Sequence, residues 1–197
     1  MDNYAIAAQA AARQFCAYDM ASIARKKGVT DAGECLQACF LGETVNICKA
    51  TGAVTFPDGR QANFCEALTV YDWLCDRKEN AAPAWEFCPV SSLPGVLVCG
   101  SGLMMSGGEL PRKIHQNPAV FRENCQKLGA KPIPIGDMGV ELMAFADLPV
   151  RLKFYFADEE FPASLTVLWD KNILDFIRYE TVYYLAACLF SRLSQNL

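Results

Sequence analysis

Hydrophobic and polar positions alternate most strictly in the C-terminal third of the chain. Val150, Leu152, Phe154 and Phe156 alternate with Arg151, Lys153 and Tyr155, a period of two. After Ala157-Asp158-Glu159-Glu160, a second run sets Phe161, Ala163, Leu165, Val167 and Trp169 against Pro162, Ser164 and Thr166. Two strands with one apolar face each, joined by four residues, predict an antiparallel hairpin over 150–156 and 161–169. Phe154, Phe156, Leu165 and Val167 are expected on its buried face, since a one-residue slip would turn every side chain over. Pro162 falls near the start of the second arm, where a missing N–H is tolerated at an edge. A terminal helix then presents Val182, Leu185, Leu189 and Leu193 to the same core.

The rest of the chain reads mainly as helices. Residues 3–27 predict one helix, Ala-rich, with Ala8, Ala12, Phe15, Ile23 and Ala24 at helical spacing and Gly28 as its stop. A second helix is expected from Ala62 to Arg77, with Phe64, Leu68, Tyr71, Leu74 and Cys75 on a core face. A third runs from Pro118, after Asn117, to Leu128, with Gly129 as its stop. Phe40–Cys48 and Ala53–Phe56 flank Lys49-Ala50-Thr51-Gly52 and suggest another hairpin, closed by Pro57-Asp58-Gly59. The Pro- and Gly-rich stretch from Asn80 to Pro111 carries Trp85 and Phe87 and takes no clear assignment; loops with large aromatics often line sites. Hairpins beside helices, without βαβ alternation or an internal linker, predict a single α+β domain: an antiparallel sheet with hairpins packed against several helices.

Composition narrows the class. At 197 residues, 52% hydrophobic and 20% charged, the chain can build a core without metal or disulfide staples. The same apolar surplus leaves room for an interface, and hence for a homodimer. Net charge is −4, and the densest basic run, Arg25-Lys26-Lys27, sits where cations offset a helix dipole. No basic stripe interleaves with aromatics, which argues against nucleic acid. The N-terminus lacks a basic export region, and the longest apolar run, Val182–Phe190, is half of a membrane span. The expectation is a cytoplasmic protein with no membrane partner.

Ten cysteines are many for this length, and in a reducing cytoplasm they are expected as free, mostly buried thiols. Cys65, Cys75, Cys125 and Cys188 fall in apolar helical patterns, where a free Cys acts as a small hydrophobe. Only Cys35, Cys39 and Cys48 cluster; with no C-x2-C pair they are a minor candidate for a metal or cluster.

Other motifs fall short of a known chemistry. In Gly100-Ser101-Gly102-Leu103-Met104-Met105-Ser106-Gly107-Gly108, Met105 occupies the last position of a dinucleotide fingerprint. Gly108-Glu109 stands where a P-loop needs Lys and Ser or Thr. His115 is the only histidine, which leaves no histidine-based triad or zinc site. Asp158-Glu159-Glu160 is the densest run of carboxylates. It reads either as a solvated turn that protects the hairpin edge or as an acid/base or cation site.

The segment Leu148-Pro149, the alternating strand, Asp158-Glu159-Glu160-Phe161-Pro162-Ala163, then Leu168-Trp169-Asp170 and the closing helix resembles a bacterial and archaeal family, domain of unknown function 3786. The resemblance is strongest over 148–193 and supports the hairpin. The family has no established activity. Some relatives carry a cysteine-rich iron–sulfur segment ahead of the domain, of the kind seen in corrinoid one-carbon proteins of anaerobes. Asp2–Gln14 contains no Cys, so the resemblance implies only the general setting of anaerobic metabolism.

These readings favour a non-catalytic accessory domain that binds a small molecule or a protein partner, with no cofactor evident. Its site is expected at Asp158, Glu159, Glu160 and Phe161, with Trp85 and Phe87. The alternatives are a carboxylate-dependent enzyme with Glu159 or Glu160 as acid/base, and a homodimeric interaction protein.

Overall fold

A computed structural model describes residues 3–94 and 108–197. The expected first helix is two: α1 (Asn3–Cys16) and α2 (Met20–Ala24). Asp19 breaks it, because its extended backbone frees the side chain to accept from Ala21 N at 3.0 Å and cap α2. Gly28, at φ +84°, then turns the chain so close to Ala146 that a Cβ would meet the Ala146 Cβ at 2.5 Å.

A four-stranded antiparallel meander follows: β1 (Val29–Ala32), β2 (Cys35–Phe40), β3 (Glu43–Cys48) and β4 (Val54–Thr55). The hairpin expected around 49–52 is present as β3–β4, but the longer pairing is β2–β3. The run read as one strand from Phe40 to Cys48 is divided by a two-residue turn at Leu41-Gly42, with φ of 48° and 82°. Leu41 holds this unusual conformation because its side chain is fully buried and its N–H donates to Ala144 O at 2.9 Å.

The second sheet comprises β5 (Phe87–Cys88), β6 (Lys131–Ile133), β7 (Met138–Phe145), β8 (Leu148–Tyr155) and β9 (Ser164–Asp170), in the antiparallel order β5-β9-β8-β7-β6. The hairpin read from the period-two pattern is β8–β9, with Leu152 opposite Val167 and Phe154 opposite Leu165. Phe154, Leu165 and Val167 are buried as expected; Phe156 is half-buried beyond the end of β8. The connection runs from 156 to 163 rather than from 157 to 160, so Phe161 and Pro162 belong to it and not to the strand. The cause is Asp158: its carboxylate accepts from Glu160 N and Phe161 N at 2.9 and 2.7 Å and folds the tip over before pairing resumes.

The remaining helices are α3 (Phe64–Cys75), α4 (Leu110–Gln116), α5 (Pro118–Lys127) and α6 (Tyr179–Leu193). The expected helices at 62–77, 118–128 and the C-terminus correspond to α3, α5 and α6. The fold is α+β. The two sheets meet where Phe40 stacks on Phe145 and Phe145 on Trp73, with centroids 5.0 and 4.3 Å apart. Trp73 Nε1 and the buried Arg77 both donate to the buried Asp147 carboxylate, at 3.3 and 2.8 Å. No helix among the described residues is long and apolar enough to cross a membrane.

Helix α3 is held at its N-terminus by one buried carboxylate. Asn63 and Glu66 form a capping box, and the same Glu66 receives Arg60 at 2.8 Å and Arg192 of α6 at 3.2 Å. Burial pushes the Glu66 carboxyl up, but the hydrogen bonds from Arg60, Asn63 and Arg192 outweigh it and hold the group below the usual carboxylate range. Its stabilisation is therefore present at neutral pH and is lost as pH falls through that depressed value. Glu66→Gln should lower stability by about 2–4 kcal/mol at pH 7, the order of a broken buried charge network. Urea denaturation against pH should show the gap between variant and parent closing below about pH 4.

Candidate functional site

Helix α3 presents Leu68, Tyr71, Asp72, Cys75 and Asp76 along one side, at i, i+3/i+4 and i+7/i+8. Opposite that side, α1 contributes Ala7, Ala10, Ala11 and Gln14, and the start of α6 contributes Arg178, Glu180, Thr181 and Tyr184. Together with Tyr18 they enclose a cleft of about 520 Å³. Its α1 wall is three alanines followed by Gln14 and Phe15; its far end is polar.

The polar end is built on Asp72, which is 2% exposed. Arg178 is extended just before α6, so its backbone N–H points at Asp72 Oδ2 and donates at 2.7 Å. Asp72 thus caps α6 from a helix 106 residues away in sequence. Arg178 Nε donates to Asp72 Oδ1 at 2.5 Å, and its Nη2 lies 2.7 Å from Asp76 Oδ2. The Tyr18 hydroxyl donates to Asp76 Oδ1 at 3.4 Å.

The two carboxyls are hydrogen-bonded to each other and pushed apart in acidity. Burial raises Asp72, but hydrogen bonds from Asp76, Thr181 and Arg178 outweigh it and hold the group below the usual range. Asp76 is raised by burial and then by its hydrogen bond to Asp72, with Arg178 opposing. Of the two, Asp72 is therefore the stronger acid and Asp76 the one that takes up a proton first as pH falls. Burial, then Asp76, also raises the Tyr18 hydroxyl. Cys75 in the same wall is pushed up to about 12 by burial and by Asp76, so it is a neutral thiol rather than a nucleophile.

The residues singled out from the sequence lie elsewhere. Asp158 shapes the β8–β9 tip, Glu159 and Glu160 are exposed, and Phe161 is 67% exposed. His115 supports the tip: its Nδ1 accepts from Ala157 N at 3.2 Å and its ring meets Phe156 edge-on. Trp85 and Phe87 sit at the opposite end of β9. There the buried Asp170 accepts from Ala84 N and Trp85 N at 2.9 and 2.7 Å, holding the 54%-exposed Trp85 at φ 57°. Phe87 pairs with Asp170 in β5 and lies 3.9 Å beneath the Arg151 guanidinium. Seven residues of β9, roughly 20 Å at strand rise, separate the acidic tip from the two aromatics. They do not form one site. The acidic turn draws in neither Arg151, which pairs with Glu141, nor Arg178, which pairs with Asp72 and Asp76.

Cys35 and Cys48 are register partners across β2–β3, whereas Cys39 lies opposite Thr44, about 13 Å further along the strand. The three sulfurs do not converge. Of the nine described cysteines only Cys125 and Cys188 are buried, Cys39 is exposed and the others are half-buried. The expectation of mostly buried thiols is corrected accordingly; helical stripes place Cys65 and Cys75 at the rim of the core rather than inside it. Cys99 and the Gly100–Gly107 stretch lie outside the described residues.

Two antiparallel sheets flanked by six described helices, with a cleft at the α3–α6 junction, define an α+β class that names no chemistry by itself. A family model described as a domain of unknown function (DUF3786) matches residues 19–192, and the chain belongs to that family. No curated protein and no solved structure matches the chain. Asp72, Asp76 and Arg178 lie within the matched span, and α1 precedes it.

The opposite shifts of the two carboxyls make a direct prediction for carboxyl NMR. Asp76 should titrate above the ordinary Asp value of about 3.9. In Asp72→Asn it should fall below its parent value, because the anionic neighbour is lost while Arg178 remains. An Asp76 that titrates identically in both proteins would mean the carboxyls are not coupled. Asp72→Ala should also lower stability by about 3 kcal/mol, since it leaves the α6 N-terminus uncapped and Arg178 half-paired.

Proposed function

We propose that the chain is a binding domain whose cleft takes a small molecule with an apolar body and a protonated amine head. The observation that carries this reading is the charge at the polar end: Asp72, Asp76 and Glu180 line the cleft with one cation, Arg178, and Lys26 is the second cation near Asp76. The acids outnumber the cations there, so a negative charge remains for a cationic head to offset. The Ala7–Ala10–Ala11 wall offers an apolar slot beside it, closed on other sides by Phe15, Leu68, Tyr71 and Tyr184. The setting that the family resemblance implies, an anaerobe's cytoplasm, belongs to the same proposal. Among the described residues, the large exposed apolar side chains, Ile6, Trp85, Tyr155 and Phe161, are spread over α1, the segment before β5 and the β8–β9 tip. This favours a cleft ligand over a broad apolar dimer face.

A carboxylate enzyme is the second reading, favoured by one observation: two titratable groups whose surroundings push their acidities in opposite directions. In that reading Asp76, partly exposed and with its acidity lowered by burial and by Asp72, is the general acid rather than Glu159 or Glu160. Asp72 tunes it from below.

A thermal-shift panel of primary amines with aliphatic tails tests the leading reading. A tail that fits should raise Tm by roughly 5–10 °C at a hundredfold excess over Kd. Ala10→Trp, which fills the slot from an exposed position, and Asp76→Asn should both abolish the shift. An equal shift in Ala10→Trp, or none with any amine, would remove the cleft from consideration.

A further inference from the structure

On the outer face of the β2–β3 hairpin, Cys35 lies directly opposite Cys48. The neighbouring pair, Glu34 and Lys49, is a hydrogen-bonded one, with Lys49 N donating to Glu34 O at 3.0 Å. Alternation along an antiparallel ladder therefore makes Cys35–Cys48 a non-hydrogen-bonded pair, the closer of the two kinds, with Cα atoms about 4.5 Å apart. The next such pair on this face, Gln37 and Asn46, demonstrates the closeness: their side chains hydrogen-bond at 2.9 Å. A disulfide needs Cα atoms roughly 4.4–6.8 Å apart and side chains on one side of the sheet, and this register supplies both. Leu36 and Ile47, the intervening pair, point into the core, so the two sulfurs face outward and stay reachable, both half-buried.

We propose that Cys35 and Cys48 form a two-thiol modification site that a low-molecular-weight disulfide oxidises to an internal cystine. The site is independent of the cleft ligand. Cys48 is the attacking sulfur. It sits at the mouth of the 49–52 turn, where the Thr51 hydroxyl and the Thr51 and Ala50 amides hydrogen-bond to it and hold its thiol below the usual range. Its thiolate attacks one sulfur of the oxidant; the oxidant's S–S bond breaks, and one small thiolate leaves and takes a proton. Cys35 then gives up its proton and attacks the Cys48 sulfur, and the mixed disulfide breaks with loss of the second small thiol. The two cysteines lose two electrons and two protons, and the oxidant gains both as two thiols. A third sulfur lies near the turn, since Cys16 Sγ donates to Ala50 O at 3.6 Å, so Cys16 is the competitor to be separated.

The test is treatment of the native full chain with glutathione disulfide, followed by alkylation and Glu-specific digestion. That protease cuts after Glu34 and Glu43 and places Cys35 and Cys48 on different peptides. The parent, Cys16→Ser and Cys39→Ser should each lose two hydrogens and yield a Cys35–Cys48 cross-linked peptide, and Tm should rise by roughly 5 °C or more. Cys35→Ser should instead stop with one glutathionyl group on Cys48, and Cys48→Ser should leave Cys35 reduced. A Cys16–Cys48 cross-link, an adduct that persists on Cys48 in the parent, or full alkylation of both cysteines after treatment would each overturn the proposal.

Discussion

A buried carboxylate has to be met by donors, and helix α3 buries two. Glu66 near its N-terminus and Asp72 near its C-terminus are both nearly inaccessible, and both are satisfied mainly from outside the helix. Glu66 draws in Arg60 and Arg192; Asp72 draws in the backbone and guanidinium of Arg178. Arg192 and Arg178 stand at opposite ends of α6, so these two anions fix the position of α6 along α3 over its whole length. Between them Phe64 of α3 meets Tyr184 of α6 edge-on, and the ionic ends set the register. The cleft exists because of this fixing. It opens where α6 begins, and its polar end is the surplus of groups gathered to satisfy Asp72.

The hairpin β8–β9 was legible because both arms carry one apolar face over six or more residues, and no other register buries Phe154 and Val167 together. The first sheet was read less well. Its main turn uses Leu41 ahead of Gly42, and nothing in a leucine announces a left-handed backbone; only its burial and its bond to Ala144 make the conformation stable. The strand β5 is two residues long and β6 three, too short to show a period. Asp19 was hidden inside an otherwise continuous helical pattern, although an aspartate followed by a fresh apolar turn is a start signal.

The site was harder to read than the fold for a physical reason. Asp72 and Arg178 are separated by 106 residues, and no local spacing connects them. One signal was present: Asp72 stands in the run Val70-Tyr71-Asp72-Trp73-Leu74, an acid inside a buried stripe, followed one turn later by Asp76. A carboxylate in that position demands a cation from elsewhere in the fold. The acidic turn drew attention instead because three acids in a row are conspicuous, yet consecutive residues diverge, and only Asp158 has a structural task there.

If the cleft at the α3–α6 junction is the functional centre, it should be occupied when the protein is isolated from its own cell. A crystal structure of native-source protein, taken without denaturation or dialysis against amines, tests this most directly. The account predicts continuous density along the Ala7–Ala10–Ala11 wall, ending in a donor group within hydrogen-bonding distance of Asp76. A cleft closed by its own side chains, with ligand density at the 157–161 turn instead, would contradict it.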